Sequence, residues 1–181
     1  MKMISLFKRI KLRIKDTATL TQLCQMAEKY AKKRGEGEPG EEHFLLSALE
    51  LPDGTAQRVF ERLGVNEDQL EKAIDQQHID ALSYIGIDAS DMSSVANEND
   101  DVGEHSNSPF KSKPSAQSLM KELVASRRSD KDIPLLGLHI IEVLSDKKLG
   151  IVSRAFEVLG LDQQSVKDAV SIELKNYKLS I

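Results

Sequence analysis

The octapeptide Arg-Val-Phe-Glu-Arg-Leu-Gly-Val at residues 58–65 returns ninety-six residues later as Arg-Ala-Phe-Glu-Val-Leu-Gly-Leu at residues 154–161. With that offset, residues 43–74 and 139–170 align without a gap and agree at eight of thirty-two positions. Chance at ordinary residue frequencies gives about two. His43 meets His139, Gly54 meets Gly150 and Arg58 meets Arg154, while Phe60, Leu63 and Gly64 meet Phe156, Leu159 and Gly160. Other positions exchange one apolar residue for another, as in Phe44/Ile140, Val59/Ala155 and Ile74/Val170. An internal repeat fixes the unit of folding, so the chain is read as two copies of one unit.

Each unit reads as four short helices. In the first, Leu20, Leu23, Cys24, Ala27, Tyr30 and Ala31 recur at helical spacing and stop at Gly35. Phe44, Leu45, Ala48 and Leu49 make a second stripe, ended by Pro52. Ala56, Val59, Phe60 and Leu63 make a third, which Gly64 closes as a left-handed C-cap. Asn66 then serves as N-cap to a fourth helix carrying Leu70, Ala73 and Ile74, and Asp162 does the same in the second unit. The second unit repeats the plan with Leu119, Leu123 and Val124; Ile140, Val143 and Leu144; Ile151, Val152, Ala155, Phe156 and Leu159; and Val166, Ala169 and Val170. Strand alternation is confined to a weak Ile-Lys-Leu-Arg-Ile-Lys at 10–15, so the expected fold class is all-α, with two tandem four-helix units packed as one pseudo-symmetric helical domain.

These units fall at residues 17–77 and 115–178, with an acidic, Ser- and Asn-rich linker at 78–114 and a basic leader at 1–16. The leader holds Lys2, Lys8, Arg9, Lys11, Arg13 and Lys15 against Asp16 alone, in a chain whose net charge is −4. No overall basicity points to nucleic acid. The single cysteine excludes an internal disulfide, and no apolar run approaches a membrane span. A cytoplasmic protein is expected. The leader either packs Leu6, Phe7 and Ile10 on the body or attaches to anionic lipid, and the first is preferred.

The doubled helical unit resembles the amino-terminal repeat domain of Clp-type AAA+ unfoldases such as ClpA, ClpB and ClpC. Gly-Glu-Glu-His-Phe-Leu-Leu at 40–46 is similar to the family's second-helix motif, and Leu-Gly-Val at 63–65 and Leu-Gly-Leu at 159–161 to its third-helix ending. Ser-Pro-Phe-Lys-Ser-Lys-Pro at 108–114 resembles the stretch that precedes the second repeat. In ClpC-like members an acid just before the histidine and a threonine opening the first helix help bind phosphoarginine. The resemblance therefore implies Thr17 and Glu42 as peptide- or phosphoarginine-binding residues, with the second-unit site lost to Lys113 and Leu138. Glu41 replaces the family's threonine and would repel a phosphate. On the opposing view, Glu41 and Glu42 only complement the helix dipole.

No phosphate-binding Gly-rich loop with Lys-Ser/Thr occurs in the sequence, so the motor that follows this domain in Clp unfoldases is missing from it. The histidines His43 and His139 are expected to satisfy polar groups at buried helix starts, and Arg58 and Arg154 to hold each repeat by ion pairs or caps. Neither His78 nor His105 has a partner at ligand spacing, and Cys24 reads as a small buried hydrophobe. No catalytic residue, cofactor, metal or small-molecule substrate is expected. The reading is a non-catalytic peptide- or protein-binding module that modulates an ATP-dependent Clp unfoldase or delivers adaptors and substrates to it. The alternative is the substrate-receiving segment of a larger Clp chaperone. A free-standing protein is preferred.

Overall fold

A computed structural model of the chain describes residues 2–84, 111–127 and 132–180, with side chains from Ile10 onward except that of Leu82. Eight helices and no strand occur among the described residues. They are α1 (Lys2–Lys33), α2 (Glu41–Leu49), α3 (Thr55–Arg62), α4 (Glu67–Tyr84), α5 (Pro114–Ser126), α6 (Gly137–Ser145), α7 (Ile151–Val158) and α8 (Gln163–Ser180). None is long and apolar enough to cross a membrane.

The quartets α1–α4 and α5–α8 match element by element from the second helix on. In each, nine residues are followed by eight and then eighteen. The glycines that close the octapeptides end α3 and α7 in the same way. Gly64 and Gly160 have φ of 72° and 69°. The Val65 N–H reaches back to the Phe60 carbonyl at 3.0 Å and the Gly64 N–H to Glu61 at 3.1 Å. In α7 the Leu161 N–H bonds Phe156 at 2.8 Å and the Gly160 N–H bonds Glu157 at 3.0 Å. Both are paired six-to-one and five-to-two closures that satisfy orphan carbonyls. The following N-caps are also as expected: the Gln69 N–H donates to Asn66 Oδ1 and the Ser165 N–H to Asp162 Oδ1, each at 2.9 Å.

Packing interleaves the quartets. All nine residues of α2 are buried, and all of α6 except Glu142. A helix buried on every side belongs at the centre, so the single stripe read for α2 is too narrow. The two central helices pack together, and a Cβ on Gly137 would come within 2.8 Å of the Ala48 carbonyl oxygen and 2.9 Å of Ala56 Cβ. Around this pair α3 packs on α8 and α7 packs on α4, each third helix lying on the other quartet's fourth. Phe60 and Phe156 meet edge to face at the crossing, with centroids 6.0 Å apart and an interplanar angle of 64°. The result is one continuous apolar core drawn from both quartets.

Several expected boundaries move. No glycine or proline occurs before Gly35, so nothing stops α1 from starting at Lys2 instead of near Thr17. The expected packing of Ile10 on the body is not found: Ile10 is 47% exposed and Ile14 65%. The side chains of Leu6 and Phe7 lie outside the described set. Helix α4 runs to Tyr84, inside the stretch read as linker; residues 85–110 lie outside the description. On α5 the buried positions are Ala116, Leu119 and Leu123, while Val124 is half exposed because it sits one residue off that stripe.

Candidate functional site

Equivalent histidines stand at the third position of α2 and α6. The Gly40 N–H donates to His43 Nδ1 and the Leu136 N–H to His139 Nδ1, both at 2.9 Å. Each ring thus satisfies a backbone donor that the helix start leaves orphaned, the role a Glu takes in a capping box.

The two acids at the start of α2 tie the quartets together. Glu41 is buried and pairs with Lys147 Nζ at 2.9 Å, and that ammonium also donates to the Ser115 carbonyl. Glu42 is buried to 1% exposure among His43, His78 and Lys113. Lys113, just before α5, pairs with Glu36 and lies 3.5 Å from Glu42 Oε1, while its own N–H bonds the Pro39 carbonyl at 3.0 Å. Burial pushes the Glu42 carboxyl up. The His43 ring, the residue's own backbone N–H and the Lys113 ammonium outweigh burial and bring its pKa down to about 2. Burial opposes the charge on Lys113 too, but its bonds to Glu36 and Glu42 win and raise its pKa.

His78 corrects the sequence reading, which gave it no partner. Its Nε2 lies 3.7 Å from Glu36 Oε1 and 3.8 Å from Glu42 Oε1. Burial, aided by Lys113 and Arg34, lowers its pKa against the pull of the two carboxylates. Glu36, Glu42 and His78 hold ligand atoms within 4.8 Å of one another, the arrangement among the described residues that could hold a metal. The Lys113 ammonium already serves both carboxylates, so a cation would have to displace it. No signal in the sequence joined these residues, which come from four separate segments.

The geometry implied for Thr17 is absent. Thr17 is exposed in the middle of α1, and its hydroxyl donates to the Arg13 carbonyl at 2.9 Å. A helix offers anion-binding N–H groups only in its first turn, so no phosphate cradle exists at Thr17. The dipole view of Glu41 and Glu42 is equally incomplete, since both carboxylates are buried in ion pairs across the quartets.

The repeated arginines diverge. Arg58 Nε donates to Glu173 Oε1 at 2.5 Å and its Nη2 to the Asp53 carbonyl at 3.0 Å, fastening α3 to α8. Arg154 is exposed and donates to the Gly150 carbonyl at 3.3 Å. Gln77 stands where the repeat would place Glu173's counterpart, so the second charge partner is lost. Cys24 is half-buried against the core, with burial and then Glu28 raising its pKa, which suppresses the reactive thiolate.

An open groove of about 220 Å3 lies on the first quartet, lined by Leu49, Gln57, Phe60, Val65, Glu67 and Leu70. Leu49, Phe60, Val65 and Leu70 share its lining with Gln57 and Asn66, and its rim includes the acids Glu61 and Glu67. Burial, then Glu71 and Glu50, raises the Glu67 pKa, so this side of the rim concentrates negative charge.

A family model for the Clp repeat (R) N-terminal domain matches residues 15–132, and the chain belongs to that family. The match runs from within α1 to the loop after α5, and α6–α8 lie outside it. No curated protein matches the chain.

Proposed function

We propose that the chain is a non-catalytic recognition module that acts in the cytoplasm, binding peptide segments of adaptors or substrates and modulating an ATP-dependent Clp-type unfoldase. Membership of the Clp repeat N-terminal family carries this reading. The second quartet is taken as a second copy of the unit, on the strength of its helix lengths, histidine caps and glycine closures. The groove beside Phe60 suits a short apolar segment flanked by basic residues, with Leu49, Val65 and Leu70 beneath it and Glu61 and Glu67 at its edge. Titratable groups at the Glu36–Glu42–His78–Lys113 junction are engaged with one another, which favours structure over turnover there.

Degradation of a model substrate by a purified Clp ATPase and its peptidase, with the chain added in equimolar amounts, tests the reading. We expect the rate to change and Glu61→Lys with Glu67→Lys, on the exposed rim of the groove, to abolish the change. A rate that the chain leaves untouched overturns it.

A further inference from the structure

We infer that the first half of α1 is an arm that lies on anionic lipid. The first clear tie between α1 and the second quartet is Asp16, which accepts the Leu135 N–H at 2.6 Å and pairs with Arg127 at 3.5 Å. Among the described side chains, apolar packing on the core begins at Leu20 and Leu23. Upstream, from Ile10 to Lys15, every residue except the half-buried Leu12 is exposed.

The exposed apolar residues do not continue the body's stripe. At about 100° per residue, Leu23, Ala27, Tyr30 and Ala31 centre on one direction, and Ile10 and Ile14 point about 130° away from it. Ile10 and Ile14 therefore form a separate face, which explains their exposures of 47% and 65%. In the sequence, Met3, Leu6 and Phe7 fall in register with them on the same period. Lys11 and Lys15 border this face on one side and Arg13 on the other, and the sequence adds Lys2, Lys8 and Arg9 upstream. No acid occurs before Asp16.

An apolar strip bordered on both sides by cations is the pattern of a helix lying in a membrane interface. There the isoleucines enter the acyl boundary while the long cationic side chains reach the headgroups. Charge also selects among occupants. A second copy of the arm would bring like charges together along both borders, whereas an anionic bilayer complements all six cations. The remainder of the chain has a net charge of −9, which holds the body off the surface and leaves the arm as the contact.

Co-sedimentation of the full chain with phosphatidylcholine–phosphatidylglycerol vesicles tests this, pure phosphatidylcholine being the control. We expect sedimentation with the mixed vesicles alone, decreasing as salt rises. Lys11→Glu, Arg13→Glu and Lys15→Glu together should lower the partition coefficient by at least on the order of a hundredfold. Ile10→Asp with Ile14→Asp should lower it comparably. All five positions are exposed, so circular dichroism should show both variants folded. Absence of binding to the mixed vesicles, undiminished binding by the charge-reversed variant, or lipid-free dimerisation that the isoleucine variant abolishes would each overturn the inference.

Discussion

His43 Nδ1 faces two groups at once, the Gly40 N–H at 2.9 Å and Glu42 Oε1 at 3.2 Å. The junction around it is acid-sensitive through two of its members, and the sign follows from each. His78 is shifted below its ordinary 6.5, so the unfolded chain takes up that proton first. Its contribution to stability is full above pH 6.5 and is lost as pH falls through the folded value. Glu42 is shifted from 4.5 to about 2, so its contribution is full above 4.5 and disappears toward 2. Urea midpoints measured against pH should fall in two stages. Glu42→Gln should flatten the lower stage and His78→Gln the upper. Lys113→Ala should cost about 1–2 kcal/mol at neutral pH, less than a fully buried pair would, because the lysine is about one-third exposed. A midpoint that ignores Lys113 would mean that solvent, not the ammonium, balances Glu42. The sequence foretold that His43 and His139 satisfy helix starts, because the repeat placed them identically. It could not foretell the junction, since Glu36, Glu42, His78 and Lys113 have no shared spacing.

Individual helices were the most legible part of the chain. Apolar spacing located α2, α3, α6 and α7, and Gly64 and Gly160 gave the ends of α3 and α7, because caps and stripes are local physics. Gly64 and Gly160 test that locality. Alanine at either site must hold φ near +70° with a Cβ, at a cost of about 1 kcal/mol, although nothing crowds the added methyl. Equal losses at the two sites, read by chemical denaturation, are expected, whereas Gly37→Ala should be nearly silent because that glycine needs neither positive φ nor space. Helix α1 was less legible. Asp16 and Thr17 look like a helix start, yet Asp16 is spent on Leu135 and Arg127 and Thr17 on the Arg13 carbonyl. A cap residue signals a start only when no helix former precedes it, and here fifteen uninterrupted residues do.

At the scale of the whole molecule, the repeat implied two quartets packed together as one pseudo-symmetric helical domain, and the contacts show how closely they interleave. Side-chain periodicity reports which face of a helix is apolar but not which helix will cover it, so the exchange of partners between α3 and α4 on one side and α7 and α8 on the other was invisible in the sequence. Phe60 and Phe156 sit at that exchange. Phe60→Leu and Phe156→Leu should each cost about 1–1.5 kcal/mol, and the double variant should cost less than the sum by about 0.5–1 kcal/mol, the shared edge-to-face contact being lost only once. A larger consequence follows for the halves. A segment of residues 1–84 would leave the buried faces of α2 and α3 without α6 and α8, and a segment of 111–181 would strip α7 of α4. Chains of this size bury too little apolar surface to absorb such a loss. Each segment alone should give a weakly helical circular dichroism spectrum without a cooperative thermal transition. An equimolar mixture should recover both helicity and cooperativity, since the missing partners are then supplied in trans. A cooperative transition from either segment alone would mean that the repeat is also the folding unit, and that α3 and α7 exchange partners only after each quartet has formed.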